Sequence, residues 1–357
     1  RLMRKIGIIT LTSILALAGF NANGATDDEY RVVTTAVPIL LISPDARAGG
    51  MGDVGAASLP GGNTIFWNPA KLAFMGKDYS NLAISYTPWL SKLVPDINLA
   101  YVSFQKSLGD RQGLGVSMRY FSLGEINFRD DQGNSTGTFS PYEFSLDAAY
   151  ALKFSEQWSG GIALRYIYSD IAQGQIVQGL QTKPGQSVAA DIAFFYKSRE
   201  MSLNGGQKGT ALFGFNISNI GSKISYSESG NDDFIPTNLK IGGGYVWQFD
   251  KYNKVGVYLD LNKLLVPTPP IREGDYGYTG DLNGNGIEND GEVIQGKDDD
   301  VDPLTGMIQA LSPSAKPNGF TELMQEIVWN VGAEWIYNDF FMVRGGYQYE
   351  SSNKGNR

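Results

Sequence analysis

The sequence predicts an all-β protein, specifically a transmembrane antiparallel β-barrel with an N-terminal plug. From Ser80 onward, apolar and polar residues alternate in segments of about ten, the length and period of a membrane-spanning β-strand. Aromatic residues recur at the ends of these segments, and short connections alternate with long ones. The residues before Ser80 lack this alternation and are rich in small side chains.

Composition limits the classes of function. The 357 residues include 44 glycines, no cysteine and no histidine, and 12% of them are aromatic. Without cysteine there are no disulfides or thiolate metal sites, and without histidine the commonest general base is missing. The net charge of -8 and the pI of about 4.8 argue against nucleic-acid binding. An enzyme is therefore the weakest functional hypothesis, since the sequence also contains no nucleophile motif.

Residues 1–25 have the layout of a secretory signal peptide. A basic pair at 4–5 precedes an apolar run at 6–18, and small residues follow, so we expect cleavage near Gly24 or Ala25. The run is too short to span a bilayer, and no later run reaches the ~20 apolar residues of a transmembrane helix. We therefore expect an exported protein that crosses a membrane only as a barrel.

Residues 26–79 form the predicted N-terminal segment and plug, centred on 44–73. Its glycines lie too close together for a helix interior, where each costs about 1 kcal/mol against Ala, so we expect a compact irregular segment. Such a backbone suits a polar cavity, where side chains and water satisfy its N–H and C=O groups. The alternative is a loop that caps a soluble β-sandwich. The predicted plug residues are Pro44, Asp45, Arg47, Gly49, Gly50, Gly52, Asn68 and Pro69.

Residues 80–357 form the predicted outer-membrane barrel, in which about eleven strands can be counted. In the clearest strand, from Glu143 to Phe154, every second side chain is apolar and the intervening positions carry Glu143, Ser145 and Asp147. We expect the short connections to be periplasmic, like the N-terminus, and the long ones, including 267–325, to be extracellular. An eleventh strand would then end on the outer side, so we expect further closing strands beyond residue 357.

The strands carry charged residues at positions expected to face the lumen. These charges either line a conduction path or pair with one another and with plug groups such as Arg47 and Asp53. The lumen-facing charges are Arg119, Asp147, Arg165, Asp191, Lys240, Asp260, Glu334 and Arg344.

One segment of the long 267–325 loop resembles a calcium-binding loop. The stretch from Asp281 to Glu292 fits the pattern D-x-N-x-N-G-x5-E, in which Gly286 permits the turn. The predicted Ca²⁺ ligands are Asp281, Asn283, Asn285, the carbonyl of Ile287 and Glu292. The alternative is a turn rich in Gly, Asn and Asp that needs no ion.

The connection after the first strand contains an apolar cluster. It comprises Trp89, Leu90, Leu93 and Val94, and such a cluster in a water-exposed loop usually marks an interface. We expect these residues to bind a partner protein. The alternative is that they contact lipid or fold over the barrel mouth.

Two stretches carry a resemblance to known families. The Asn68-Pro69-Ala70 element that follows a small-residue plug resembles the FadL superfamily of outer-membrane barrels, which implies fourteen strands in the complete barrel. Within that superfamily, the run ILLISPDARAGGMGD at 39–53 resembles the PorV family of the Bacteroidetes type IX secretion system.

The PorV resemblance implies a non-enzymatic function in the outer membrane, in contact with its lipid. Members of that family receive exported proteins that carry a C-terminal signal domain from the translocon and deliver them to the surface attachment complex. The alternative hypothesis is a FadL-type transporter of hydrophobic small molecules, which would need a continuous apolar path through the lumen.

Overall fold

Eleven long strands form one antiparallel sheet in the computed structural model. The model describes residues 32–354 except 90–91, 93–95, 130–132, 134, 175, 178–179, 229–231 and 276, so the predicted signal peptide lies outside the described residues. The strands are β1 Ser80–Pro88, β2 Ile97–Leu108, β3 Gln112–Leu123, β4 Tyr142–Lys153, β5 Trp158–Asp170, β6 Gly185–Lys197, β7 Lys208–Gly221, β8 Asn238–Gln248, β9 Asn253–Leu264, β10 Ile327–Tyr337 and β11 Phe341–Tyr349.

Each strand pairs with its neighbour in the sequence, so the sheet is a simple meander. The count of eleven is therefore confirmed, and a two-residue strand, Met201–Ser202, adds to the edge of β7. No pairing of β11 with β1 occurs among the described strands. Closure by further strands, and the total of fourteen, stay predictions.

The connections alternate in length as the sequence predicts. Short turns join β2 to β3, β4 to β5, β8 to β9 and β10 to β11, while the connections at the other end are longer. The exception is the connection 198–207 between β6 and β7, which lies at the end with the short turns. Three long connections contain hairpins, formed by Ile126–Arg129 with Ser135–Phe139, Ile176–Val177 with Leu180–Gln181, and Ile271–Arg272 with Val293–Gln295.

The helices are short and lie in the N-terminal segment and in the connection between β9 and β10. They are α1 Ala46–Gly49, α2 Thr64–Trp67, α3 Pro303–Leu311 and α4 Gly319–Gln325, with 3₁₀ turns at Pro38–Leu40, Pro69–Phe74, Asn204–Gly206, Pro313–Ala315 and Ser352–Lys354. The plug is thus less irregular than expected, because single helical turns form before Gly50, Gly52 and Gly55 and again after them. None of the helices in the described part of the chain is long and apolar enough to cross a membrane.

The two faces of the sheet have opposite character. On β5, the outward-facing Ile162 and Leu164 are 54% and 64% exposed, whereas the inward-facing Ala163 and Arg165 are buried. The same inversion occurs on β3 and β4, where large apolar side chains are exposed and small or polar ones are buried. A water-soluble protein rarely exposes so large an apolar surface, so this face contacts lipid.

Aromatic side chains mark both ends of the apolar band. At the end with short turns, Trp158 and Tyr196 pack with ring centroids 4.8 Å apart. At the opposite end, Tyr142 stacks between Tyr120 and Tyr168, at 5.8 Å from each. Two belts of this kind are typical of the membrane–water interfaces of a β-barrel.

The N-terminal segment 37–75 fills the concave side of the sheet. It contacts β1 where Gly62 lies against Ala83, and β11 where Gly346 lies against Met51. Buried apolar clusters and hydrogen bonds connect the same segment to all the strands between them. Because one segment contacts the first strand, the last strand and every strand between, the sheet curls around it. The predicted fold class, a transmembrane antiparallel barrel with an N-terminal plug, is confirmed.

Candidate functional site: the plug and the long connections

The Asn68-Pro69-Ala70 element anchors the plug to the sheet. The Asn68 side-chain oxygen accepts a hydrogen bond from the Ala70 N–H at 3.0 Å and thereby caps the turn that Pro69 begins. The Asn68 amide donates to the carbonyls of Ala56 at 3.1 Å and Phe194 at 3.0 Å. Since Asn68 is fully buried, these bonds satisfy a side chain that water does not reach.

Asp260 of β9 holds the plug backbone through one carboxylate oxygen. Its Oδ2 accepts hydrogen bonds from the Gly55 N–H at 2.6 Å and the Ala56 N–H at 2.7 Å. The sequence identifies Asp260 only as a lumen-facing charge. In the structure it satisfies two buried backbone donors, and charge-assisted bonds of this kind are about twice as strong as neutral ones.

Glu334 of β10 pairs with the plug as the sequence predicts. Arg47 Nη2 lies 2.7 Å from Glu334 Oε1, and Arg344 Nε lies 3.3 Å from Oε2. The Tyr258 hydroxyl donates to the same carboxylate at 2.9 Å. By contrast, Asp53 Oδ1 is buried and makes no hydrogen bond with any residue that the structure describes.

The remaining lumen-facing charges also contact protein groups, although Arg119 Nε makes no hydrogen bond within the described residues. Arg165 bridges Asp147 and Asp191 across β4, β5 and β6, with 3.1 Å between Arg165 Nη2 and Asp191 Oδ2. Arg119 donates to the Ile39 carbonyl at 2.8 Å, and the Lys240 ammonium lies 4.7 Å from the centre of the Trp67 ring. Of the two alternatives for these charges, pairing among lumen and plug groups is the one observed.

Strand glycines allow the plug to approach the sheet closely. A Cβ atom at Gly214 of β7 would lie 2.0 Å from the Ala56 carbonyl oxygen, and one at Gly161 of β5 would lie 2.5 Å from the Ala70 nitrogen. Neither distance is sterically possible, so these strands need glycine where the plug crosses them. Glycine at inward-facing strand positions is the signal in the sequence that could have identified where the plug contacts the sheet.

The other predicted plug residues lie in the same interior segment. Asp45 accepts a hydrogen bond from the Arg47 N–H at 2.8 Å, which caps α1, and another from the Trp67 indole at 3.2 Å. Gly52 has a φ of +68° and lies against the backbone of Tyr347. Pro44, Gly49 and Gly50 lie within or next to the same helical turn.

The connection 265–326 is fixed to the barrel mouth by a buried charged group around Glu326. Lys316 Nζ lies 2.6 Å from Glu326 Oε2, and Lys263 of β9 pairs with the same oxygen. Thr268 donates to Glu326 Oε1 at 2.6 Å, and Lys354 lies 3.4 Å from that atom. Burial by itself would raise the pKa of Glu326, but the ammonium groups of Lys263 and Lys316 hold this pKa below its ordinary value. Sequence reasoning missed this group because its members come from four separate segments.

The predicted calcium ligands come together in one turn. Asp281 accepts from the N–H groups of Asn285 and Gly286 at 3.0 and 2.9 Å, and the Asn283 amide donates to Glu292 at 2.7 Å. Ile287 belongs to the same turn, because its N–H donates to Asn285 Oδ1 at 2.8 Å. These groups offer the oxygen atoms that Ca²⁺ prefers, so the donor set fits the ion chemically.

Glu273 is a further acidic residue at this turn, and the sequence pattern does not include it. It accepts hydrogen bonds from the backbone of Leu282 and Asn283. Within the described ranges, no three acidic side chains cluster closely enough to form a metal site by themselves. Calcium therefore stays a prediction that depends on the amide and carbonyl oxygens as well.

The apolar cluster after β1 is described only in part. Trp89 is partly exposed, and its N–H donates to the Ile97 carbonyl at 2.9 Å, which continues the β1–β2 pairing. Leu90, Leu93 and Val94 lie outside the described residues.

The fold and the site together define a class of protein: a lipid-facing β-barrel whose lumen is occupied by its own N-terminal segment. A family model described as PorV, type IX secretion system protein PorV, matches residues 25–271. The chain therefore belongs to the PorV family. It is an outer-membrane component of the type IX secretion system.

Individual known proteins are only weakly similar to the chain. No curated protein matches the sequence. Among solved structures, the toluene transporter TbuX of Ralstonia pickettii is similar at 12% identity, over 86% of each chain, with a TM-score of 0.39. The toluene transporter TodX of Pseudomonas putida is similar at 12% identity, over 90% of this chain and 85% of its own, with a TM-score of 0.40. Likeness at this level carries no argument about function.

Proposed function

We propose that this protein receives exported proteins at the type IX translocon, binds their C-terminal signal domain, and carries them to the surface attachment complex. In this proposal the short turns and the N-terminus are periplasmic and the long connections are extracellular. The long connections, among them the one that contains Trp89, bind the partner proteins.

The observation that supports this proposal best is that the plug and paired charged side chains occupy the lumen. The segment 37–75 contacts all eleven strands, and the inward-facing charges pair with each other or with the plug. A transporter of hydrophobic solutes would need an apolar path through the same space. Binding at the long connections is therefore favoured over conduction through the barrel.

The apolar cluster after β1 can supply binding energy. Burial of Trp89, Leu90, Leu93 and Val94 contributes ~1.5 to 3 kcal/mol for each side chain, from which the cost of association must be subtracted. That sum suits a transient complex. Trp89 is expected to carry a large share, because tryptophan is frequent among the residues that dominate binding energy.

The calcium turn has a supporting role in this proposal. We propose that Ca²⁺ bound by Asp281, Asn283, Asn285, the Ile287 carbonyl and Glu292 orders part of the 265–326 connection. The hydrogen-bonded turn that gathers these residues supports the proposal.

The experiment replaces Trp89→Asp and Leu93→Asp in cells that depend on this protein for export. We expect the variants to insert and to remain heat-modifiable on gels, but to lose co-purification with the translocon and surface delivery of cargo. The matched control is Phe249→Asp, which places the same charge on an exposed aromatic residue at the opposite end of the barrel.

Normal secretion by the Trp89 and Leu93 variants would contradict the proposed role of this connection. If, in addition, a substitution that blocks the lumen stopped uptake of a hydrophobic solute, the transporter hypothesis would replace the shuttle.

A further inference from the structure

Helix α3 presents its larger apolar side chains to solvent. Leu304, Ile308 and Leu311 are 64%, 71% and 49% exposed, and their spacing of four and three residues places them on one face of the helix. The two fully buried residues of the helix are the small Gly306 and Ala310, and Met307 beside them is half-buried. Helices on soluble surfaces normally have the opposite arrangement, with the large apolar residues inward.

The buried side of α3 explains why this arrangement is stable. A Cβ atom at Gly306 would lie 2.9 Å from the Phe234 ring and 3.1 Å from Pro267. The helix therefore packs against the neighbouring connections through its small face, and a larger residue could not be placed there. The exposed face is left without a partner within the described part of the chain.

Helix α4 extends the apolar surface of this connection. Phe320 and Met324 lie one turn apart and are 64% and 40% exposed. Both α3 and α4 pack against the turn Pro313–Ala315. The exposed apolar residues of the two helices are here called the α3–α4 face, and they are Leu304, Ile308, Leu311, Phe320 and Met324.

The α3–α4 face is held in place by bonds at both ends. Asp302 caps α3 by accepting hydrogen bonds from the Leu304 and Thr305 N–H groups at 3.0 and 3.1 Å. Beyond α4, the buried carboxylate of Glu326 is paired with Lys263 and Lys316. A surface fixed in this way needs little ordering when a partner binds.

Charge indicates which kind of partner fits. Residues 265–326 contain twelve acidic and three basic residues. Lys223, Lys263 and Lys354, from outside this connection, pair with three of the acidic residues, so a surplus of six negative charges remains (12 − 3 − 3). Four of the acidic residues, at 298–300 and 302, directly precede α3. Helices that lie on membranes carry Lys and Arg on their polar face, and anionic headgroups would be repelled by this acidic surrounding. A protein surface with an apolar centre and a basic rim is complementary to it.

We propose that the α3–α4 face docks a partner protein whose contact surface has an apolar centre rimmed by Lys and Arg. This inference rests on the proposed function, which supplies two candidates, the translocon protein and the signal domain of the cargo. It adds a second docking surface, formed by a different connection from the one that contains Trp89.

The test measures binding of full-length protein in detergent to each of two purified probes, the translocon protein and a cargo signal domain. The variant Ile308→Glu should weaken binding to one probe by at least about tenfold. The matched control Gln309→Glu adds the same charge to the same helix about 100° around its axis, and should bind like the wild type. Raising NaCl from ~0.05 to ~0.5 M should weaken wild-type binding, because salt screens complementary charges.

Equal binding by Ile308→Glu and wild type would overturn this inference, while the proposed function would stand on the wild-type result. Wild-type protein that binds neither probe would refute the proposed function itself, and the inference with it. The inference also fails if Ile308→Glu instead reduces binding to protein-free vesicles of anionic lipid, since the face would then contact membrane.

Discussion

The replacement Glu326→Ala should release the 265–326 connection from the barrel mouth. Glu326 is the shared partner of Lys263 and Lys316, whose side chains are only 7% and 0% exposed. Without the carboxylate, both ammonium groups would stay buried with no opposite charge beside them. Each ammonium group must then either reach water, which requires the connection to open, or lose its proton, which also costs free energy.

The magnitude follows from this burial. Removal of one partner from a buried ion pair costs about 3 to 5 kcal/mol, because an uncompensated charge remains. The Glu326 side chain is itself only 6% exposed, so water screens the pair weakly. If the loss destabilises only the closed state of the connection, the open state becomes at least about a hundredfold more populated.

Hydrogen exchange followed by mass spectrometry measures this opening in detergent-solubilised protein. Peptides that cover α3 and α4 should exchange at least about a hundredfold faster in Glu326→Ala, while peptides of β3 to β6 should be unchanged. Glu288→Ala removes an exposed carboxylate from the same connection and serves as the control. Glu326→Gln keeps the side-chain shape and should have a smaller effect. Equal exchange in Glu326→Ala and Glu288→Ala would show that the buried charges do not hold the connection.

Further predictions concern the plug, the calcium turn and pH. Gly214→Val should prevent the plug from seating and sharply reduce the yield of heat-modifiable barrel, whereas Gly243→Val, where a Cβ meets no atom within 4 Å, should assemble normally; equal yields would refute the close contact. Asp260→Ala should expose plug residues 55–58 to a membrane-impermeant thiol reagent after Ser58→Cys, and unchanged labelling would contradict the anchor. Glu292→Ala and a chelator should each increase protease cleavage in 265–326, and the calcium proposal fails if neither does. Because the pKa of Glu326 is lowered in the folded protein, its stabilising effect is present above the ordinary glutamate pKa of about 4.3 and is lost as the pH falls towards the lowered pKa. The exchange rate of α3 amides, divided by their intrinsic rate at each pH, should therefore rise only below a pH of about 4.3.

Much of the barrel can be predicted from the sequence because each strand obeys a local rule. The alternation in β4 fixes which side chains face lipid, and the spacing of aromatic residues fixes where the strands end. Alternation alone does not distinguish lipid from water. The structure decides this point through the exposure of residues such as Ile162 and Leu164.

The site depends on contacts between distant residues, which local patterns do not contain. Asp260 binds a backbone about two hundred residues away, and Glu326 gathers lysines from three other segments. Helix α3 was missed for a different reason. Its fully buried residues are Gly306 and Ala310, so the usual signal of several large apolar residues facing the core is weak.

Isolation of the protein from gently solubilised outer membranes, followed by identification of what co-isolates, tests the central claim most directly. The wild-type protein should co-isolate with the type IX translocon and with cargo that still carries its C-terminal signal domain. The Trp89→Asp, Leu93→Asp protein should be equally abundant in the membrane and lack both partners. The proposed function is contradicted if the wild-type protein co-isolates with neither, and cells that lack it export cargo normally but take up a hydrophobic solute more slowly.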